Sequence, residues 1–159
     1  MFLNKKKAIF LISIFLLIFF SYYIDIKSQE LKVVDGDTIH LNNKKIRFSG
    51  IDAPELKQIC FIKKVENSCG VKAKNMLIDK IGNNIIECIS EGKDQYKRTL
   101  AECFVNNESL SSYLVRNGYA FAYRRYSKEF VIDEDYARIN KNGMWSMKFD
   151  YPWDFRKKN

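Results

Sequence analysis

Between residues 31 and 51 apolar and polar positions alternate in two short runs separated by a polar break. Thr38-Ile39-His40-Leu41 has the period of a half-buried strand, and Asn42-Asn43 supplies residues that tolerate a primed hairpin turn. Residues 45–51 then read as the returning strand. Residues 56–68 keep no period and read as an irregular loop. From 70 to 81, Ala73, Met76, Leu77 and Ile81 fall on one helical face closed by Gly82, which makes Met76 a core residue and not a ligand. Ile85, Ile86, Cys88 and Ile89 mark a strand over 84–90. Its antiparallel partner is 98–105, across a turn at 94–97. A second helix, capped by Asn107 or Ser109, runs through Leu110, Tyr113 and Leu114 to Gly118. A third, capped by Asp133, carries Tyr136, Ala137 and Ile139 and stops at Gly143. Trp145, Trp153 and Phe155 need burial and read as a lid over the core. Strands early, helices later and no βαβ regularity predict an α+β fold with a small antiparallel barrel.

The N-terminus breaks this pattern. Lys5-Lys6-Lys7 precede an uncharged apolar run over 8–24, whose length lies between a secretory h-region and a full membrane span. Positive residues before the run keep the N-terminus cytoplasmic and predict export of the rest of the chain. Residues 1–27 are therefore expected to form a hydrophobic helix, as a signal peptide or an uncleaved membrane anchor. Residues 28–159 form one domain, periplasmic or extracellular. The net charge of the chain is +8, and 23 basic against 18 acidic residues from Ser28 onward leave +5. A surface of that sign suits a polyanionic partner, with simple solubility as the bland alternative. Four cysteines fit an oxidising compartment. Cys60 and Cys69 bracket the loop after residue 55, whereas Cys88 and Cys103 fall opposite each other if 84–90 and 98–105 pair about the 94–97 turn, so two disulfides are expected. Zinc is the rival reading, but the chain has neither a C-x-x-C pair nor a nearby pair of histidines.

Charge is densest in VVDGDTIHLNNKKIRFSGIDAPE, which places Asp35, Asp37, Arg47, Asp52 and Glu55 at strand ends. Gly36 permits a tight turn between two aspartates. Antiparallel pairing brings Asp52 back beside Asp37, and two neighbouring carboxylates repel unless a cation lies between them. For an all-oxygen set, that cation is most often a hard divalent ion. A DG turn in a polar loop is the plain alternative. His40, the single histidine, has no partner nearby in sequence and reads as surface or satisfied structure.

VVDGDTI, IRFSGIDAPE and DQYKRTLAE, in this order and spacing, resemble the staphylococcal nuclease (thermonuclease) family over about residues 31–156. The resemblance implies a five-stranded OB-fold antiparallel β-barrel with three helices. It makes Asp37 and Asp52 calcium ligands together with the Ala53 backbone carbonyl, Glu55 the general base, and Arg47 and Arg98 the phosphate-holding arginines. It also places nucleotide-contacting tyrosines at Tyr96 and in the aromatic and basic stretch 119–126, where Tyr123 and Tyr126 are the candidates. The implied activity is calcium-dependent endonucleolytic cleavage of DNA and RNA, single strands preferred, leaving 3′-phosphate ends. No protein partner is implied. The chain departs from the family at Ala53, often Thr, and at Lys97, commonly Gly. A backbone ligand survives the first change, while the second removes a residue suited to unusual backbone angles. The alternatives are a non-catalytic nucleic-acid-binding module, which should lack some of Asp37, Arg47, Asp52, Glu55 and Arg98, and an acidic calcium-binding envelope protein, which gives no reason for the two arginines.

Overall fold

The computed structural model describes Lys7, residues 12–16 and residues 29–158. Most of the apolar run 8–24 lies outside the described residues. No helix among the described residues is long and apolar enough to cross a membrane.

Strand β1 (Leu31–Val33) pairs antiparallel with β2 (Thr38–Leu41), and β2 with β3 (Lys44–Phe48). The β2–β3 turn has Asn42 and Asn43 at φ +48° and +64°, the left-handed values for which asparagine is suited. Short β4 (Ile51–Asp52) comes next, and β5 (Ile59–Ile62) pairs with β6 (Val65–Ser68). The stretch expected to be irregular is thus a hairpin, turned by Lys63 and Lys64 at positive φ. Helix α1 (Cys69–Ile81) buries Cys69, Gly70, Ala73, Leu77 and Ile81, and Met76 packs partly buried against the same core.

Strands β7 (Glu87–Lys93) and β8 (Thr99–Val105) pair antiparallel, and β8 also pairs with β9 (Glu108–Ser109). The sheet runs β1-β2-β3-β8-β7, and its central pair, β3 and β8, is parallel: Ile46 lies level with Thr99, Arg47 with Leu100. This corrects the expectation of an all-antiparallel barrel. Among the described residues no ladder joins the edge strands β1 and β7 into a closed barrel. Instead, the side-chain amide of Gln29, just before β1, donates to Ile86 O at 2.8 Å and accepts from Ile86 N at 2.7 Å, just before β7.

Ser109 Oγ accepts from Ser112 N and caps α2 (Leu110–Arg116), as expected. Strand β10 (Phe121–Ala122) pairs with β4. Helix α3 (Val131–Ile139) begins two residues before Asp133, which bonds Ser112 Oγ and does not cap. Its buried residues are Glu134 and Ala137, while Ile139 is exposed. A 3-10 turn (Gly143–Ser146) and a further helix, α4 (Pro152–Lys158), complete the chain. Among the described residues from 29 onward that makes four α-helices where about three were expected; residues 12–16 of the N-terminal run are helical as well. Trp145, Phe149, Tyr151 and Trp153 pack around buried Phe121 in a cluster with Met144 and the Cys60–Cys69 pair, separate from the main core. Both expected disulfides are formed, Cys60–Cys69 and Cys88–Cys103, so none of the four cysteines is free for a metal.

Candidate active site

Gly36 lets the β1–β2 turn press against Ala53 and Ala73, whose Cβ atoms lie 2.8 and 2.9 Å from where a side chain on residue 36 would begin. That closeness brings Asp37 to the end of β4. Asp37 Oδ2 accepts from Ala53 N at 2.8 Å, and Oδ1 accepts from Thr38 Oγ1 at 2.9 Å. Asp35 Oδ1 accepts from Asp37 N and fixes the turn. Arg47, on β3 opposite Thr38, reaches both acids: Nη1 donates to Asp37 Oδ1 at 2.6 Å and Nη2 to Asp52 Oδ1 at 2.7 Å. Asp37 and Asp52 are both buried.

Arg47 is the guanidinium that reaches Asp37, and Asp52 shares it. Burial pushes Asp37 up to about 7, against the pull of Arg47 and with Asp35 and Asp52 adding to the rise. For Arg47, burial works against the charged form, but Asp37 and Asp52 outweigh it and raise its pKa further.

Glu55 stands at the rim, its side chain 38% exposed. The backbone beneath it is held tightly. Gln58, wholly buried, offers Oε1 to Glu55 N at 3.3 Å, and Gln58 N donates to Glu55 O at 2.7 Å. Gln58 Nε2 in turn donates to Asp150 O at 2.6 Å. Gly70 at the start of α1 packs so close that a Cβ there would overlap the Glu55 carbonyl. The Cys60–Cys69 bond ties this loop to the same helix start.

Arg156, from α4, completes the cluster and carries no sequence signal of its own. Its Nη2 donates to Asp52 Oδ2 at 2.7 Å, and its Nη1 donates to Asp52 Oδ1 at 3.1 Å and to Glu55 Oε1 at 2.8 Å. Burial opposes its charge, but these two acids raise its pKa above the ordinary arginine value. Contacts across 101 and 104 residues leave no local pattern to read.

The match to the family model described as staphylococcal nuclease homologue covers residues 45–147, well over half of the chain. The chain belongs to this family. It is 30% identical over 123 residues to an uncharacterized endonuclease of Haemophilus influenzae, covering 73% of this chain and 64% of that protein. It is likewise 30% identical over 124 residues to the probable staphylococcal-like nuclease CAN3 of rice, Oryza sativa subsp. japonica, covering 76% and 30% of the two chains. Endonuclease YhcR of Bacillus subtilis is 33% identical over 148 residues, which cover 79% of this chain and 12% of that one. The chain thus spans less than two thirds of the length of each of these three relatives.

As a staphylococcal nuclease homologue, the chain brings Asp37, Arg47, Asp52, Ala53 and Glu55 together, while Arg98 pairs with Asp94. Arg98 stands one residue before β8, on the same side of the sheet as Arg47 by strand alternation. Its Nε donates to Asp94 Oδ2 at 2.7 Å, while Asp94 Oδ1 accepts from Tyr96 N and Arg98 N. Burial tends to raise the Asp94 pKa, but the bonds from Arg98 and Tyr96 N overcome it and hold the carboxyl below its ordinary value. Tyr96 is exposed, with the Arg98 guanidinium 5.5 Å from its ring centre. Tyr126 is also exposed and meets Tyr123 edge-on at 5.0 Å. Tyr123 is stacked at 9° on Trp153, with ring centres 5.9 Å apart, so one of its faces is already covered. An open groove of about 820 Å³ runs past Tyr123, Trp145, Tyr151 and Trp153, edged by Arg124, Arg138 and Lys157. His40 is partly exposed on β2 between Lys32 and Lys45.

The donor set fits a hard cation. Two buried carboxylates that share one internal guanidinium, a rim carboxylate and the Ala53 carbonyl are all oxygen. Among the described residues no three His, Cys, Asp or Glu side chains converge closely enough to hold a metal by themselves. The oxygens that could hold such an ion are those of Asp37 and Asp52 with the Ala53 carbonyl.

Proposed function

We propose that this chain is a calcium-dependent nuclease that hydrolyses phosphodiester bonds of DNA and RNA with little sequence preference, single strands preferred, leaving 3′-phosphate ends. The observation that carries the reading is the buried Asp37–Arg47–Asp52 cluster with Glu55 exposed at its rim. A binding module would need none of this arrangement. Its buried like charges are costly, and a fold that only bound nucleic acid would gain nothing by keeping them.

Bound calcium would supply Lewis-acid polarisation of a phosphoryl oxygen. Glu55, reachable from solvent and fixed through Gln58, takes the proton of the attacking water. Arg47 spends two of its five N–H donors on Asp37 and Asp52, leaving three for phosphoryl oxygens. Arg98 keeps both terminal nitrogens free of partners among the described residues and can grip phosphate as a fork. Tyr96 and Tyr126 offer exposed rings for bases. The OB-fold barrel that the family implies is also part of this reading, the Gln29–Ile86 contact standing at its seam.

The test is cleavage of single-stranded DNA by the purified protein with calcium or with chelator. Cleavage should need calcium, and Glu55→Gln should lower turnover by about 10²-fold or more with DNA binding retained. Asp37→Asn should recover part of its activity at high calcium, and Glu55→Gln should not. Binding without calcium-dependent cleavage by the parent protein would decide for the binding module.

Export of the domain, by a cleaved signal or from an anchor, belongs to the same reading and is supported by Lys5-Lys6-Lys7 before the apolar run and by the two disulfides. A reporter active only in an oxidising compartment, fused after Asn159, should be active. Signal confined to the cytoplasm refutes export.

A further inference from the structure

Asp52 is fully buried, and its two oxygens are served differently. Oδ1 receives Arg47 at 2.7 Å and Arg156 at 3.1 Å, whereas Oδ2 is bonded by Arg156 at 2.7 Å. A buried carboxylate stripped of its countercharge is strongly destabilising, so in the ion-free protein Arg156 does what a metal would otherwise do. It also reaches across to Glu55 Oε1 and joins the buried acid to the rim acid.

The two arginines of the cluster are not equivalent. Arg47 projects from a strand hydrogen-bonded on both sides, and its side chain is 17% exposed. Arg156 projects from a seven-residue helix of which Pro152 is the buried residue, and its side chain is 39% exposed. It can swing into water without disturbing the sheet. Asp52 Oδ1 already accepts from both Arg47 and Arg156, whereas Oδ2 accepts from Arg156 alone, so Oδ2 is the oxygen with a lone pair left for a divalent cation. Two cations on one oxygen repel strongly in a partly buried setting, where water screens them little. Ion and Arg156 therefore exclude each other.

We propose that Arg156 is a built-in counterion of the cation site, holding Asp52 and Glu55 in the ion-free protein and driven off when a divalent ion binds. The proposal rests on the calcium reading above. Its consequence for the reaction lies at the rim: Arg156 competes with water for Glu55 Oε1, and once the ion has driven it off both oxygens of the carboxylate are open to water. The apparent affinity for the ion is lowered by the fraction of molecules in which Arg156 has let go.

Calcium binding to the full chain, followed by titration calorimetry, tests this without reference to cleavage. Arg156→Gln should bind calcium about tenfold more tightly than the parent, and Arg156→Lys, which keeps charge but loses the fork, should fall between. Lys157→Gln, which removes a charge one residue along the same helix where it pairs with Asp154 at 3.2 Å, should tighten binding less than about twofold and sets the scale of a general charge effect. If Arg156→Gln folds only with calcium present, the ion has replaced the guanidinium, and that outcome also supports the exchange. If it does not fold at all, Arg156→Lys decides: tighter binding than Lys157→Gln supports the exchange, and equal or weaker binding overturns it. An Arg156→Gln affinity no better than that of the parent, or no better than Lys157→Gln, overturns it as well. A parent chain that binds no calcium, magnesium or manganese removes the calcium reading itself, a result distinct from a failure of the exchange alone.

Discussion

Lys97 holds a φ of +64° immediately before Arg98. A side chain in that region costs roughly 1–2 kcal/mol, which glycine avoids while losing some chain entropy on folding. The conformation persists because Asp94 accepts from Tyr96 N, Arg98 N and Arg98 Nε, a set of bonds that closes the turn around Lys97. Lys97→Gly should therefore raise stability by about 0.5–1 kcal/mol, seen as a higher denaturant midpoint at unchanged slope. A lower midpoint would mean that the lysine contributes something the backbone does not reveal. Turn chemistry also explains what could and could not be read in advance. Asn42-Asn43 announces a primed turn because asparagine tolerates left-handed backbone. Lys63-Lys64 takes the same conformation without the residues that advertise it, and the hairpin around it is invisible in sequence.

At the level of elements, the β7–β8 hairpin was legible through two offsets that cancel. Pairing about residues 94–97 sets Cys88 against Cys103, yet the loop closes one residue further on, by Asp94 N donating to Arg98 O. Gly92 therefore faces Leu100, and a bulge between Ser90 and Gly92 restores the register, so that Cys88 does face Cys103. The cluster Asp37–Arg47–Asp52 was legible because one hairpin carries it. Parallel β3–β8 pairing was not, since it joins strands some fifty residues apart with no local signal. Gln58 and Arg156 were missed for a related reason: each acts through contacts distant in sequence, Gln58 with Asp150 and Arg156 with Asp52. Seven-residue α4 is also too short to show a helical period.

For the molecule as a whole, the Gln29 side chain takes the place of one peptide group at the seam between the first and last strands of the sheet. Both its amide groups are used, one as donor and one as acceptor, on a single residue of the opposite edge. Gln29→Ala should leave Ile86 N and O without these partners and cost about 1 kcal/mol, measured by equilibrium unfolding. An unchanged midpoint would show that water replaces the amide at no cost. The same contact bears on the proposed export. If the apolar segment is removed on the way out, a cut on the N-terminal side of Gln29 keeps the two edges tied. A chain beginning even one residue later would carry a sheet with that side unlatched.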